Sequence, residues 1–226
     1  MNKESIEAVA PSNADQAIAT IVLGFSADPV ARWFYPDPHD YLTQLPHFVR
    51  AFAGKAFEYN SAYQIDGYSG ASLWLPPEVH PDENALMALL QCTIPKENQQ
   101  NIFAFVEQMD RYHPSEPHWY LPMIGVDPAK QGKGYGSALL KHALARCDGE
   151  GQLAYLEASS AKSIPLYQRQ GFERVGTIQV EKSPPMFPML RKPRRLVLTE
   201  SNDYSSRHAA GSAPNSTSVL NRTPLA

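Results

Sequence analysis

Gln131-Gly-Lys-Gly-Tyr-Gly136 is the stretch of this chain whose residue types best suit the holding of an anion. Glycines at 132, 134 and 136 lack a β-carbon, so main-chain amides there can approach a ligand closely and take conformations that other residues avoid. If a helix starts directly after them, its first-turn amides and the positive end of its dipole point to the same place, a cradle for phosphate or pyrophosphate. A tight strand-to-helix connection needs the same glycines, and the loop by itself leaves both readings open. Two familiar phosphate loops are excluded. Gly132-Lys133 is followed by Gly134 rather than Ser or Thr, and the glycine spacing lacks the last interval of the dinucleotide fingerprint.

Proton-moving side chains lie on both sides of this loop. Glu157 stands between Leu156 and Ala158 in an apolar run, where a carboxylate without a partner is costly. Glu116 and His118 precede the loop, and a histidine titrates naturally near neutrality. His113, Glu116 and His118 match no standard zinc spacing, and Pro114 and Pro117 break any helical face between them, so no metal is expected.

A strand, a turn and a helix must position these groups. Residues 119–126 are apolar and β-prone, and Asp127-Pro128 ends the run. Pro122 within it has no amide proton, so it belongs at an edge, at a bulge or where neighbouring strands part. After the loop, Tyr135, Leu139, Ala143 and Cys147 recur at helical spacing. Residues 153–158 read as the next strand, and 161–170 as a helix with Pro165 in its first turn and Gly171 as its stop.

Upstream, 5–10 reads as a strand, and a helix runs from a cap at Ser12 or Asn13 to about Phe25. Asp28-Pro29 starts a second, short helix, and 41–52 a third. Strands at 57–65 and 71–75 are joined by Asp66-Gly67, a hairpin signal. Helices at 82–90 and 98–112 are expected to wall a pocket, and Trp33, Phe34, Tyr35 and Trp74 either line it or form plain core. Residues 172–180 and 186–190 read as the last strands, with a solvated, charged finish at 192–195.

Gln131, Gly134 and Gly136, five residues after Val126, resemble the Gln-x-x-Gly-x-Gly coenzyme A signature of the GNAT acyltransferase superfamily. Tyr155-Leu-Glu-Ala-Ser159 and Ile164-Pro-Leu-Tyr-Gln-Arg-Gln-Gly-Phe172 resemble its next strand and its Leu-Tyr-x-x-x-Gly-Phe ending. Glu116-Pro-His-Trp-Tyr-Leu, Leu73-Trp-Leu-Pro-Pro77, Phe25-x-x-Asp28-Pro and Met189-x-Arg-Lys-Pro193 are similar to the branch containing the puromycin N-acetyltransferases.

The resemblance implies an α/β (α+β) sandwich: a mixed, mostly antiparallel six- to seven-stranded sheet with helices on both faces. It implies an acyltransferase that moves acetyl from acetyl-CoA, its co-substrate, directly to a primary amine of a small molecule. The main chain of Ile124, Gly125 and Val126 would pair with the pantetheine arm. The amides of Gln131, Gly132, Lys133, Gly134, Tyr135, Gly136 and Ser137 would hold the pyrophosphate. Ser163 stands where many members carry an asparagine that touches the coenzyme; it retains that contact or caps the helix. Tyr167 would be the general acid. From the residues themselves, Glu157 either serves as the general base or makes a structural hydrogen bond to a neighbouring loop, with Glu116 and His118 as alternatives for the base. The amide of Met123 or Ile124 would face the oxyanion. Two other readings stand beside this one, a peptide or protein amine acetyltransferase and a coenzyme A-binding sensor without turnover.

The 226 residues suit one domain at 1–198. Residues 199–226, rich in Ser, Asn, Ala and Thr without an apolar period, are expected to be a disordered tail. A formal charge of −3 gives no reason to expect nucleic acid or an anionic membrane as a partner. Cys92 and Cys147 form no CxxC pair, and the N-terminal residues lack a signal peptide's apolar run. A cytoplasmic protein, monomeric or homodimeric, is the expectation.

Overall fold

The computed structural model describes residues 5–194. In chain order its elements are β1 (Ile6–Ala8), α1 (Ala14–Gly24), α2 (Pro29–Phe34), α3 (Pro38–Ala53), α4 (Lys55–Glu58), β2 (Ala62–Ile65), β3 (Gly70–Leu75), α5 (Glu83–Thr93), α6 (Lys96–Tyr112), β4 (His118–Val126), α7 (Tyr135–Glu150), β5 (Leu153–Ala158), α8 (Ile164–Arg169), β6 (Glu173–Arg174) and β7 (Phe187–Arg191). Among these residues the strands form one seven-stranded sheet in the order β1-β2-β3-β4-β5-β7-β6. Only β4 and β5 run parallel; every other neighbouring pair is antiparallel. This is the mixed, mostly antiparallel sheet that the sequence implied. The expected boundary at 198 and the tail at 199–226 lie outside the described residues.

The sheet separates two cores. On one face, Ile18, Ile21, Phe34, Val49, Leu90 and Phe105 of α1, α2, α3, α5 and α6 pack with Leu73, Leu75, Tyr120 and Tyr155 of the strands. On the other, Leu139, Leu140 and Leu144 of α7 and Tyr167 of α8 pack with Trp74, Trp119 and Leu156. The alternation along β3 and β5 supplies both faces, as the period of two requires. Trp74 belongs to the α7 core, fully buried, and Trp33 packs edge-on against Phe34 and tilted against Phe105.

Local signals account for most boundaries. Asp28 caps α2 by accepting from the amides of Val30 and Ala31, and Asp37 caps α3 from His39 and Asp40, each with proline in the first turn. Asp66 and Gly67 take positive φ (50° and 60°) in the β2–β3 turn, as the hairpin signal demands. Two expectations are corrected. Residues 57–61 are not strand: α4 adds a helical turn after α3, buries Ala56 and Phe57, and Asn60 at φ 51° redirects the chain into β2. The strand expected at 172–180 shrinks to Glu173–Arg174 plus a bridge from Ile178 to Met186. Tyr112 explains the gap: its ring packs where Gly176 leaves no room for a β-carbon, and its hydroxyl donates to the Thr177 carbonyl.

The residue before the expected charged finish is an anchor, and within the finish the Arg194 amide joins it by donating to Asp148. Arg191, 2% exposed, forms a two-toothed pair with Asp148 at 2.8 Å for each bond, and its Nε donates to the Gln170 carbonyl. One guanidinium therefore ties β7 to α7 and to the end of α8. Burial alone would raise the Asp148 carboxyl, but hydrogen bonds from Arg191 and from the Arg194 amide outweigh it and hold Asp148 below its ordinary value. Arg191→Met is expected to cost about 3 kcal/mol in urea unfolding at neutral pH, because it strands a partly buried carboxylate. The Asp148 pKa is depressed on folding, so its contribution is present above the ordinary carboxylate range and is lost as pH falls through the depressed value. The variant's deficit should shrink over that acid window.

Candidate active site

Strands β4 and β5 pair only at His118–Tyr120 with Leu153–Tyr155. Beyond Tyr120, β4 continues on β3 alone and β5 on β7, so the sheet opens between them. The opening begins at Pro122. Leu73 pairs with Met123 and Leu75 with Tyr120, so Trp74 alone stands opposite Leu121 and Pro122: β4 carries one extra residue, a bulge. The bulge also switches the faces of the strand. Trp119 and Leu121 face the α7 core before it, and Ile124 and Val126 after it, while Tyr120 and Met123 face the other core.

The register decides which amides meet the opening. Asp127 N donates to Ser69 O, and hydrogen-bonded pairs alternate along an antiparallel ladder, so Gly125 and Met123 turn their amides toward β3. Ile124 and Val126 turn theirs toward the gap, and the Gln131 side chain already donates to the Val126 carbonyl there at 3.2 Å. Of the two oxyanion candidates, Ile124 is thus the one facing the opening. Gly125 has a different role from the one expected. A β-carbon at Gly125 would lie 2.9 Å from Ile21 Cα, and one at Gly24 would lie 2.9 Å from Gly125 Cα, so α1 rests its backbone directly on β4.

The glycine loop has the shape its composition suggested. Gly132 and Gly134 take φ of 79° and 92° with open space where a β-carbon would be, and Gly134 is the N-cap of α7. The first intrahelical bond runs from Ala138 N to Gly134 O, so the amides of Gly136 and Ser137 have no partner within the helix. Lys133 and Gln131 are exposed. Tyr135 is buried, with its hydroxyl donating to Asp66, and Ser137 Oγ accepts from Gln170 at 3.0 Å, so these two side chains serve the fold while their main chain lies in the turn. Ser163 holds the N-cap position of α8 without a side-chain cap bond: its hydroxyl donates to the Ser160 carbonyl at 2.8 Å.

A cleft of about 780 Å³, counted to its mouth, lies at the opening and brings Pro122, Met123 and Ile124 together with Tyr167, Glu157, Asp28 and Ser159. Its walls are apolar side chains of α2, α3 and α6, among them Phe34, Phe48, Phe52 and Phe105. Of the expected wall, α6 contributes and α5 does not; Phe34 and Tyr35 line it, and Trp33 and Trp74 do not. Tyr167 is 7% exposed, and burial, with the Asp28 charge adding, pushes its phenol well above the ordinary value. It is a protonated donor at neutral pH.

Glu157 enters the cleft on the same face of β5 as Tyr155, with its side chain 3% exposed. Its Oε2 accepts from Tyr120 at 2.8 Å, and its Oε1 lies 3.4 Å from His113 Nε2. His113 sits between the rings of Tyr120 and Tyr155, 4.5 Å from each, and His118 lies behind it, its pKa lowered by burial. His118 therefore meets the cleft only through His113 and Glu157.

Three residues escaped the sequence reading. Asp28 read as a helix start, and it is one, but its Oδ2 also accepts from Ser159 at 2.5 Å inside the cleft. Tyr120 stands inside the Glu116-Pro-His-Trp-Tyr-Leu motif without a role of its own, and His113 reads from sequence only as a metal ligand; the signal for Tyr120 was its parity with Glu157 across a parallel pair, which needs the register to be seen.

The family model described as the Acetyltransferase (GNAT) family matches residues 54–172, more than half of the chain. An uncharacterized N-acetyltransferase of Schizosaccharomyces pombe is 26% identical over 201 residues, 79% of each chain. A solved acetyltransferase from Corynebacterium glutamicum, described as a histone acetyltransferase and related acetyltransferase, aligns with a TM-score of 0.62 at 22% identity over 86% of this chain and 99% of its own. The polyamine N-acetyltransferase of Drosophila melanogaster, which forms N-acetylagmatine, aligns with a TM-score of 0.60 at 15% identity over 84% of this chain and all (100%) of its own. At these identities the two structures show a shared fold.

Asp28 supplies a pH test of this geometry. Burial raises its carboxyl against the hydrogen bonds from Ser159, Ala31 and Val30. A carboxyl raised on folding stabilises the protein below its unfolded value, and that contribution is lost as pH rises through the raised one. Asparagine caps helices as well as aspartate. Asp28→Asn is therefore expected to match the wild type in urea unfolding at acid pH and to gain on it as pH rises from the ordinary carboxylate range toward neutrality.

Proposed function

The chain belongs to the GNAT acetyltransferase family, and on that premise we propose that it moves an acetyl group from acetyl-CoA directly to the primary amine of a small molecule. One observation carries this reading: where β4 and β5 part, the Ile124 amide, the Tyr167 phenol and the Glu157 carboxylate meet one apolar cleft. Acetyl-CoA, when bound, supplies the thioester whose carbonyl carbon an amine attacks. The residues present fit it. The positive-φ glycines at 132 and 134 and the amides of Gly136 and Ser137 suit its pyrophosphate, with the exposed Lys133 adding charge. The amides and carbonyls of Ile124 and Val126 suit its pantetheine arm as an added strand.

Within this reading the chain performs three tasks. The Ile124 amide faces the carbonyl oxygen as negative charge develops there. Tyr167 gives its proton to the departing sulfur, a role that its buried, un-ionised phenol supports. Glu157 takes the proton that the ammonium group must lose before it can attack. Neither Cys92, exposed on α5, nor Cys147, buried in α7, lines the cleft, which supports a single direct transfer over a thioester on the enzyme.

The cleft also bears on the amine. Both Asp28 oxygens are engaged, Oδ1 by two amides and Oδ2 by Ser159, and the walls are hydrocarbon and aromatic. This supports an acceptor with one ammonium group and an apolar body. Agmatine, the acceptor of the Drosophila relative, would leave a second cation, its guanidinium, against apolar side chains.

Thiol release from acetyl-CoA is expected with monoamines such as 2-phenylethylamine or puromycin ahead of spermidine. With the best acceptor, Tyr167→Phe should lower kcat by about 10²-fold or more and leave coenzyme A affinity by calorimetry within about threefold, since the phenol is asked for a proton rather than for binding. An unchanged kcat would remove Tyr167 from the mechanism.

A further inference from the structure

Behind Glu157 three contacts run in line. Glu157 Oε1 lies 3.4 Å from His113 Nε2, His113 Nδ1 lies 3.2 Å from His118 Nε2, and His118 Nδ1 lies 2.8 Å from the Glu116 carbonyl oxygen. The last contact fixes the others. A carbonyl oxygen only accepts, so His118 carries its proton on Nδ1. In the neutral ring Nε2 is then a lone pair, and His113 must donate to it from Nδ1. Neutral His113 consequently presents a bare Nε2 to Glu157 Oε1, an oxygen that accepts no full hydrogen bond among the described residues, although the buried Tyr155 hydroxyl approaches the same carboxylate. Two acceptors face each other, and the space between them lacks one proton.

We infer that Glu157 and His113 act as one proton acceptor, and that the proton released by the substrate ammonium passes through Glu157 to His113 Nε2 and leaves by the histidine pair. The inference rests on the acetyl-transfer reading above. In the step, an ammonium N–H bond breaks and its electron pair stays on nitrogen as the free amine, while an O–H bond forms on Glu157. That O–H then breaks as an N–H bond forms at His113 Nε2, which restores the carboxylate and leaves an imidazolium paired with it. The His113 side chain is 26% exposed against 3% for Glu157, so the histidines are where water can collect the proton and return both rings to the neutral form.

The surroundings favour passage. The groups around His113 are Glu157 and Tyr155 from β5 and Tyr120 and His118 from β4; Tyr112 at the end of α6 acts on Tyr155, and His80 acts on His118. Burial pushes the Tyr120 and Tyr155 phenols far up, so neither gives a proton near neutrality. Burial also lowers His118, so a proton arriving there is not retained. His113 does not line the cleft, and its part is that of a positioning residue acting through Glu157.

The tautomers can be read directly. Nitrogen-15 NMR of the imidazoles in the full chain, at a pH where both rings are neutral, should show Nδ1–H for His113 and for His118, the opposite of the form that free histidine prefers. Nε2–H on His113 would mean that the gap is already filled, and would overturn the inference without any substrate. In kinetics with the best acceptor amine, His113→Gln should lower kcat about tenfold or more with the KM for acetyl-CoA unchanged, shift the acid limb of the pH profile, and recover partly on addition of imidazole. A loss that imidazole does not restore and that leaves the pH profile in place is structural and overturns the relay. Glu157→Gln separates the two readings. If it leaves kcat unchanged, the base assignment itself fails; if it lowers kcat while His113→Gln does not, only the relay fails.

Discussion

Pro122 has no amide proton to give to a neighbouring strand, and β4 carries an extra residue beside it. These two facts keep β4 and β5 from zipping together past Tyr120. Everything chemical in the molecule follows from that failure to pair. It frees the edge on which Ile124 and Val126 present main-chain groups, and it exchanges the faces of the strand so that Met123 points to the core under α1, α2 and α3 and Ile124 to the α7 side. An unpaired strand edge inside a protein is normally a liability. In the proposed mechanism the coenzyme arm completes the ladder.

A sheet that opens in its middle needs each half held separately. The β3 side is held by the antiparallel ladder to β4 and by α1, whose backbone touches β4 at Gly125 with no side chain between. The β5 side is held by β7 and by Arg191, which reaches Asp148 and the Gln170 carbonyl from inside the fold. Both are close, directional contacts rather than general apolar burial, and they hold the two sides of the gap apart. Three pairs of polar groups meet on the gap's floor, Tyr120 with Glu157, His113 with His118 and Ser159 with Asp28, while Glu157 Oε1 and the Tyr155 hydroxyl are left without a full hydrogen bond. That mutual pairing limits the cost of desolvating so many of them.

Much of this was legible in the residues. The glycine loop declared itself, because no side chain other than hydrogen is comfortable at the φ values of Gly132 and Gly134. Pro122 announced an irregular strand, though not whether it marked an edge, a bulge or a parting; it marks the last two together. Gly125 was expected to pair its main chain with the pantetheine arm along with Ile124 and Val126, but the register turns its amide to β3 and its missing β-carbon makes room for Ile21. The stretch at 57–61 alternates like a strand, yet tertiary burial of Phe57 made it helical, and Tyr112 displaced the strand at 172–180 from a position 60 residues or more away in sequence. Asp28, Tyr120 and His113 could not be placed from sequence because each gains its meaning from a partner more than 35 positions distant. Periodicity reports which face a residue takes, and it does not report who stands opposite.

The contact of α1 on Gly125 has a consequence for how such a protein diversifies. In the proposed mechanism the half of the cleft that would handle the donor is made of backbone, with its register fixed by a helix that tolerates no added methyl group between it and the strand. The half that would meet the acceptor is made of side chains hung from α2, α3 and α6. Substitutions in the second half reshape the pocket one side chain at a time and leave the backbone of the first half in place. Lineages built on this plan are free to exchange one amine for another over evolutionary time without relearning how to hold the thioester.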